Sequence, residues 1–500
     1  MEKKLEQCAC SVPDKGNCST VIVGKNVSST GYVLMGHNED DYDCTLQVHR
    51  VPRLKHDERE VLTFADGAAV IPQVAETYAY QWSEYRDPAG AAFADCVVNE
   101  WGVAVMTDSC RPCKVSETEE QEQGMGYALR RIIPERAKTA REGVEVAIQL
   151  IETYGYRSSR TYHIADKNEA WALHVPTGKN YVARRIDDDE VYYMANHFTI
   201  HEIDFTDTEH KKYYFSKDVV EYPIRNGWYT PKTAGDYSDF DFAAAYQEGS
   251  DKLYNVSRVY IAWKKLFGEA PPSNRPFAKK VTKKYTPEDV KAVMRMHFEE
   301  EPIDYSEGYK YNPHGDREPS AICNSMTMES FVVEFDEIPE LTCIWRATLK
   351  PCIAPFAPWY LGNTKSPKGY SWLDPVIAQR THFYLSEEEQ KYDPTKAHWA
   401  FMTLLYLTEF DYKGTHEVLH KEIEKIEANW AKERPVVTDT YKALLKTNPK
   451  MAEEYLTNYT ATQAQFTWDW ANEMIHKLGE AKIMENGTGP HKPKDEDYLK

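Results

Sequence analysis

Four short runs between residues 161 and 194 limit the possible folds of this chain more than any other feature. Residues 161–165, 170–174, 180–185 and 190–194 carry strand-forming types, and Lys167-Asn168, Thr177-Gly178 and the run from Asp187 to Asp189 separate them. Runs this short, parted by turn-forming residues, predict an antiparallel meander, because parallel strands need much longer crossovers. Just before them, Thr139-Ala140-Arg141-Glu142 reads as a capping box, and Val144, Ala147, Ile148 and Ile151 recur at helical spacing up to Gly155, which stands where a helix ends. An amphipathic helix therefore leads into the meander.

Further strand signals lie at 19–24, at 32–36, within 66–110 (clearest at 104–107), at 330–336 and at 342–347, whereas 204–250 is polar, aromatic and irregular. The character changes near Leu385. Residues 396–410, 415–432 and 448–478 read as helices, and Leu419, Ile423, Ile426 and Trp430 form the seam of a packed helix. Residues 484–500 are Gly, Pro and charge, with nothing to bury a core. There is no internal repeat. This order predicts a layered α+β protein with a helical C-terminal region.

Charge excludes some function classes. Asp plus Glu outnumber Lys plus Arg by 79 to 60, which disfavours a nucleic-acid or anionic-membrane surface. No apolar run approaches the roughly 18 residues a bilayer span requires. The first 17 residues hold Lys3 and Lys4 but no apolar core of a signal peptide. The expectation is cytoplasmic, leaving open export of a longer precursor, and the ten cysteines are then read as reduced thiols. Cys110-Arg-Pro-Cys113 is one isolated pair, and His197, His201 and His210 match no zinc-helix spacing, so no metal is expected. The basic cluster at 279–284 reads as solvated surface, and no phosphate loop, dinucleotide fingerprint or Gly-x-Ser-x-Gly elbow occurs.

The chemistry is legible in the first hairpin. A strand starting at Cys18 and turning near residues 27 and 28 gives opposed residues an index sum of roughly 55, which sets His37 about opposite Cys18. Gly36-His-Asn-Glu-Asp40 then ends beside the thiol. A thiol needs a base to become a thiolate at neutral pH. A free α-amine on Cys18, with a pKa of about 7.7 to 8.0, would supply one, provided the Asn17–Cys18 bond is cut. The commoner fate of such a cysteine is that of a small buried hydrophobe.

Cys18-Ser-Thr-Val-Ile-Val-Gly-Lys25, Ser28-Ser-Thr-Gly31 and Gly36-His-Asn-Glu-Asp40 together resemble the N-terminal motif of the dipeptidase A family. These are cysteine N-terminal-nucleophile hydrolases, relatives of choloylglycine hydrolase and penicillin V acylase. Val98-Asn-Glu-Trp-Gly-Val103, Glu135-Arg-Ala-Lys-Thr-Ala-Arg-Glu142, Ala165-Asp-Lys-Asn-Glu-Ala-Trp171, Ala195-Asn-His-Phe198, Glu202-Ile-Asp204 and Pro351-Cys-Ile-Ala-Pro-Phe-Ala-Pro358 continue the similarity in order, to about residue 375. The resemblance implies an αββα four-layer sandwich and a nucleophile exposed by loss of a propeptide. With the change of character near Leu385 and the polar tail, it gives this division: 1–17 propeptide, 18–384 catalytic domain, 385–483 helical region and 484–500 tail. Carried over, the nucleophile is Cys18, the amine-orienting carboxylate Asp40, the oxyanion-hole asparagine Asn196 and a late active-site arginine Arg258. Where relatives usually have Arg this chain has His37, a cation only when protonated. No cofactor is implied. Partners are small peptides such as dipeptides, with neither nucleic acid nor membrane, and a homo-oligomer is left open. Competing readings are an acylase of the same fold, an inactive thiol-bearing binding protein, and a papain-like Cys–His protease.

Overall fold

The computed structural model describes residues 18–41, 44–64, 67–86, 92–110, 113–114, 124–248, 253–299, 301–314, 320–382 and 391–486. The expected propeptide with Cys8 and Cys10, the domain boundary at 384/385 and the end of the tail lie outside these residues.

Two antiparallel sheets stack on each other. The first has seven strands in the order Ala278–Lys280, Glu190–Met194, Ser19–Val23 (β1), Leu34–Asp40 (β2), Thr327–Glu334, Cys343–Thr348 and Ala357–Tyr360. The second has eight, in the order Tyr213–Phe215, Val182–Ile186, Ala170–Val175, Arg160–Ala165, Ala104–Ser109, Ala92–Asn99, Tyr80–Arg86 and Thr45–Val51. Polar contacts join the facing surfaces: Thr20 Oγ1 donates to Asp108 Oδ2 at 2.6 Å, and Tyr85 donates to Glu329 at 2.7 Å.

Helices Leu129–Arg136 and Ala140–Tyr154 cover the outer face of the eight-stranded sheet, where Ile132, Val144 and Ile151 join Ile164, Trp171 and Leu173 in one apolar cluster. Helices Leu253–Phe267 and Pro287–Met294 cover the seven-stranded sheet. The architecture is thus the four-layer αββα sandwich. The first two helices are separated by a strong start signal: the Thr139 hydroxyl accepts from Glu142 N, and Gly155 closes the helix at φ 76°.

Three of the four runs form the expected meander. The fourth does not. Glu190–Met194 leaves that sheet and pairs with β1 in the other. A strand signal says that a segment is extended, not which edge it joins, and this one is buried along its whole length between β1 and the edge strand Ala278–Lys280. The first hairpin also differs in detail. Ser19 pairs with Asn38 and Thr20 with His37, an index sum of 57 rather than 55. A slip of two residues keeps every side chain on its expected face and moves the partner of Cys18 from His37 to Glu39.

The first C-terminal helix, Ala397–Phe410, falls where its pattern predicts, and the other two, Tyr412–Thr447 and Pro449–Asn486, are longer. The seam residues Leu419, Ile423, Ile426 and Trp430 are all buried in the core that also holds β1 and β2. Each such side chain contributes about 1.5–3 kcal/mol when fully buried. Among the described residues, no helix is long and apolar enough to cross a membrane.

Gly24 ends β1 with its N–H on Glu190 O at 2.9 Å, and a Cβ there would come within 2.5 Å of Asp187 O and 2.6 Å of Asp188 O. Backbone cannot step aside cheaply. Gly24→Ala is expected to cost about 1–3 kcal/mol in urea unfolding, as overpacking does. Gly31, at φ 79° with open space around it, is the control. Gly31→Asn tolerates that φ and should unfold near the wild-type midpoint.

Candidate active site

The sulfur of Cys18 lies on the face of β1 that looks into the sandwich, because Thr20, two residues on, reaches Asp108 of the facing sheet. Cys18 is 4% exposed, and its Sγ sits 3.8 Å from Asp40 O. The thiol, a ring nitrogen of His37 and a carboxylate oxygen of Glu39 lie within 4.8 Å of one another. Burial first, then the charges of Glu39, Asp108 and Asp40, push the thiol well above its ordinary pKa. With its nitrogen tied up as an amide, this thiol stays protonated at neutral pH.

Two buried side chains fix the backbone around it. Arg258, on helix Leu253–Phe267, donates to Cys18 O at 2.6 Å and to Asn255 Oδ1 at 3.0 Å. Asp40 closes β2. Its Oδ2 accepts from Asn324 Nδ2 at 2.5 Å, while its Oδ1 is buried without a hydrogen-bond partner. Burial raises Asp40 to about 7, although Asn324, Thr327 and the cations Arg258 and Lys350 pull the other way. Glu39 is likewise raised to about 7 by burial, opposed mainly by Arg130. Behind it Asp95, ion-paired to Arg130 at 2.7 Å, is itself raised by burial and by the charge of Glu39.

His37 does not face the sulfur as a lone base. Its Nδ1 is 2.8 Å from Thr20 Oγ1, its Nε2 is 3.1 Å from Glu39 Oε2, and its ring lies 5.4 Å from that of Phe331. Asp108 accepts from Thr20 and sits 2.8 Å from His163 Nε2. Burial works against its charge, but His163 and His37 hold Asp108 below the usual carboxylate range. His37 is thus a link in a chain of buried donors and acceptors running from one sheet to the other.

Asn196 follows the strand on the other side of β1. Thr20 pairs with Met194, the last residue of that strand, and Asn196 comes two residues later. The chain turns here: Asn196 has φ 53°, a left-handed conformation that Asn tolerates. Its Nδ2 donates one hydrogen to Ser109 O at 2.8 Å, which fixes the amide plane, and a second N–H remains on the same nitrogen.

All five residues expected from the sequence therefore converge on the start of β1. Arg258, the one with least motif support, makes the most direct contact with Cys18. Sequence reasoning missed Asn324, Asp108 and His163. None lies in a recognisable motif, and they arrive from segments far apart in the chain. The other features singled out do not gather here. Cys110 Sγ is 3.2 Å from Thr161 Oγ1, Cys113 Sγ is 3.2 Å from Tyr246 O, and His201 pairs with Asp241 at 2.9 Å.

Known proteins are similar to this chain in sequence. A probable dipeptidase of Latilactobacillus sakei is 23% identical over 450 residues, spanning 84% of this chain and 87% of that one. A probable dipeptidase B of Lactococcus lactis subsp. lactis is 25% identical over 470 residues, spanning 88% of this chain and 92% of that one. Among solved structures, penicillin V acylase from Agrobacterium tumefaciens aligns over 66% of this chain and 82% of its own, at 11% identity and a TM-score of 0.30. The model of peptidase family C69 matches residues 17–425, from the residue before the thiol to the middle of the C-terminal helices, and the chain belongs to that family.

Proposed function

We propose that this protein is a dipeptidase that hydrolyses short peptides through a thioester on Cys18, with the α-amine of Cys18 as general base once residues 1–17 are removed. The observation that carries the reading is the surround of Cys18. Its carbonyl is fixed by Arg258, Asp40 beside it keeps one oxygen without a partner, and Asn196 follows the strand paired with β1, its amide held by Ser109 O. The relatives, named as probable dipeptidases, suggest the substrate class.

The chemistry follows from charge. A new ammonium at Cys18 would find the open Oδ1 of Asp40 and would offset the three carboxylates that raise the thiol. The neutral amine takes the thiol proton, and sulfur attacks the peptide carbonyl. The oxyanion accepts from Asn196 Nδ2, where such a donor is worth several kcal/mol in a dry site. The ammonium returns its proton to the leaving amine. Water, deprotonated by the same amine, then breaks the thioester, releasing the acid and restoring the thiol. His37 holds Glu39 and Thr20 in place rather than acting as the base.

Three outcomes test this reading. Intact mass of an active preparation should begin at Cys18, and Cys18→Ala should stay full length and turn over neither dipeptides nor N-acyl amino acids. A fully active enzyme that retains residues 1–17 would sink the mechanism, and activity confined to N-acyl amino acids would sink the substrate class. Asn196→Ala should lower kcat about a hundredfold or more with little change in KM; a change in KM alone would move Asn196 to substrate binding. The third outcome concerns pH. Glu39 has a folded pKa of about 7, above its ordinary value, so it binds a proton more tightly in the folded state. Its contribution to stability is present at low pH and is lost as pH rises through about 7. In the Cys18→Ala background, Glu39→Gln should therefore raise the Tm more at pH 8 than at pH 5. An equal effect at both would place the Glu39 proton elsewhere.

A further inference from the structure

Among the described residues, one other group of ligand-type side chains comes together as closely as the one at Cys18. The Nε2 atoms of His297 and His314 and the Sγ atoms of Cys323 and Cys352 all lie within 4.8 Å of one another, and all four residues are buried. The two Nε2 atoms are 3.0 Å apart and the two sulfurs 3.6 Å apart. His314 Nε2 is 3.2 Å from Cys352 Sγ and 3.7 Å from Cys323 Sγ.

These four separations are close to edges of a zinc tetrahedron, and the remaining two, from His297 to the sulfurs, fall within 4.8 Å. With Zn–S near 2.3 Å and Zn–N near 2.0–2.1 Å, tetrahedral geometry needs about 3.8 Å between sulfurs, about 3.3 Å between nitrogens and about 3.6 Å between the two kinds. The outer nitrogens are oriented as ligating histidines require. His297 Nδ1 is 2.9 Å from Glu299 Oε1, and His314 Nδ1 is 3.3 Å from Glu409 Oε1. The second is a close approach without good hydrogen-bond alignment, since His314 Nδ1 also counts among the buried atoms lacking a hydrogen-bond partner. A carboxylate at Nδ1 keeps the proton there and turns the Nε2 lone pair inward. Two inward lone pairs 3.0 Å apart repel unless a proton or a metal ion lies between them. A disulfide would satisfy the sulfurs but would leave that repulsion in place.

We propose that His297, His314, Cys323 and Cys352 bind one zinc ion as a closed structural site that locks the segment carrying Asn324 against Asp40. A two-thiolate, two-imidazole tetrahedron selects zinc among common divalent ions. Binding would release two thiol protons, one from each cysteine. The location gives the ion a task. Asn324, next to Cys323, donates to Asp40 Oδ2, and Ile322 O, on the other side, accepts from Asn38 on β2. The ion would also join this segment to the C-terminal helices. Glu409 comes from helix Ala397–Phe410, and Tyr412, which starts the next helix, packs edge-on against both histidines with centroids 5.8 and 5.2 Å away. Successive ligands are separated by 16, 8 and 28 residues, a spacing that matches no zinc motif and hides the site in the sequence.

Metal content of the full chain tests this without reference to activity. Wild-type protein purified under reducing conditions should carry about one zinc per chain, and X-ray absorption should show sulfur and nitrogen neighbours in equal number. Cobalt(II) exchanged into the site should show thiolate-to-metal charge transfer. Cys352→Ser and His314→Ala should each lower bound zinc at least tenfold, while Cys110→Ser and Cys18→Ala keep it. The Cys18→Ala arm separates this site from the thiol, imidazole and carboxylate at the start of β1. Should the ligand variants fail to fold, the absorption spectrum of the wild type decides alone. Wild-type protein that holds no zinc and takes up none on titration with zinc(II), a Cys323–Cys352 disulfide by mass, a non-sulfur coordination shell, or a folded Cys352→Ser that keeps its zinc would each overturn the proposal.

Discussion

A carboxylate shut between two sheets has to be met by a donor or a cation, and much of this molecule is arranged around that requirement. Glu39, Asp95 and Asp108 all lie buried inside the sandwich. Leaving one such charge unmatched would cost several kcal/mol. Asp108 is met by Thr20 and His163, and Asp95 by Arg130 and Thr107. Glu39 is left shared between His37 and Asp95, with its proton affinity raised. This chain of partners runs across the two sheets, so it ties their relative position to the geometry beside Cys18. The sheets cannot slide without breaking buried pairs.

The same arrangement gives the site its polarity. Around Cys18 the carboxylates outnumber the near cations, so a positive group placed there is favoured and a thiolate is disfavoured. An α-ammonium is the kind of positive group that a chain can create at this position by cutting one bond. Arg258 cannot take its place, because its guanidinium is already engaged with Cys18 O and Asn255. In the mechanism we propose, cutting that bond is the step that tunes the sulfur.

How much of this was legible depends on how local each signal is. The capped helix Ala140–Tyr154 and the strands that follow it rest on neighbours in sequence, and they appear where the pattern sets them. The hairpin placed Asp40 beside Cys18 for the same reason, and an error of two in the index sum did no harm because strand faces repeat every two residues. Helix Pro287–Met294 had a legible start that was passed over: Thr286 and Asp289 form a full capping box with Pro287 in the first turn. What could not be read was partnership at a distance. Nothing in the Glu190–Met194 run tells which sheet it joins. Nothing around Asn324 or His163 points to β2 or to Asp108. The same holds for the four ligand-type residues near Cys323, which are ordinary in sequence and adjacent only in space.

The two borders of the seven-stranded sheet are closed by different means. On one side, Phe356 N, just before strand Ala357–Tyr360, donates to Glu427 Oε1, and Tyr360 N at its end donates to Thr460 Oγ1, so side chains of the long C-terminal helices take up amides at both ends of that strand. On the other, the last strand is three residues, Ala278–Lys280, and two of them are lysines. A bare, flat strand edge is a template on which a second chain can add. Here one border is roofed and the other is short and charged, so the helical region acts as a guard against self-association of the sheet, a duty quite separate from anything at the thiol.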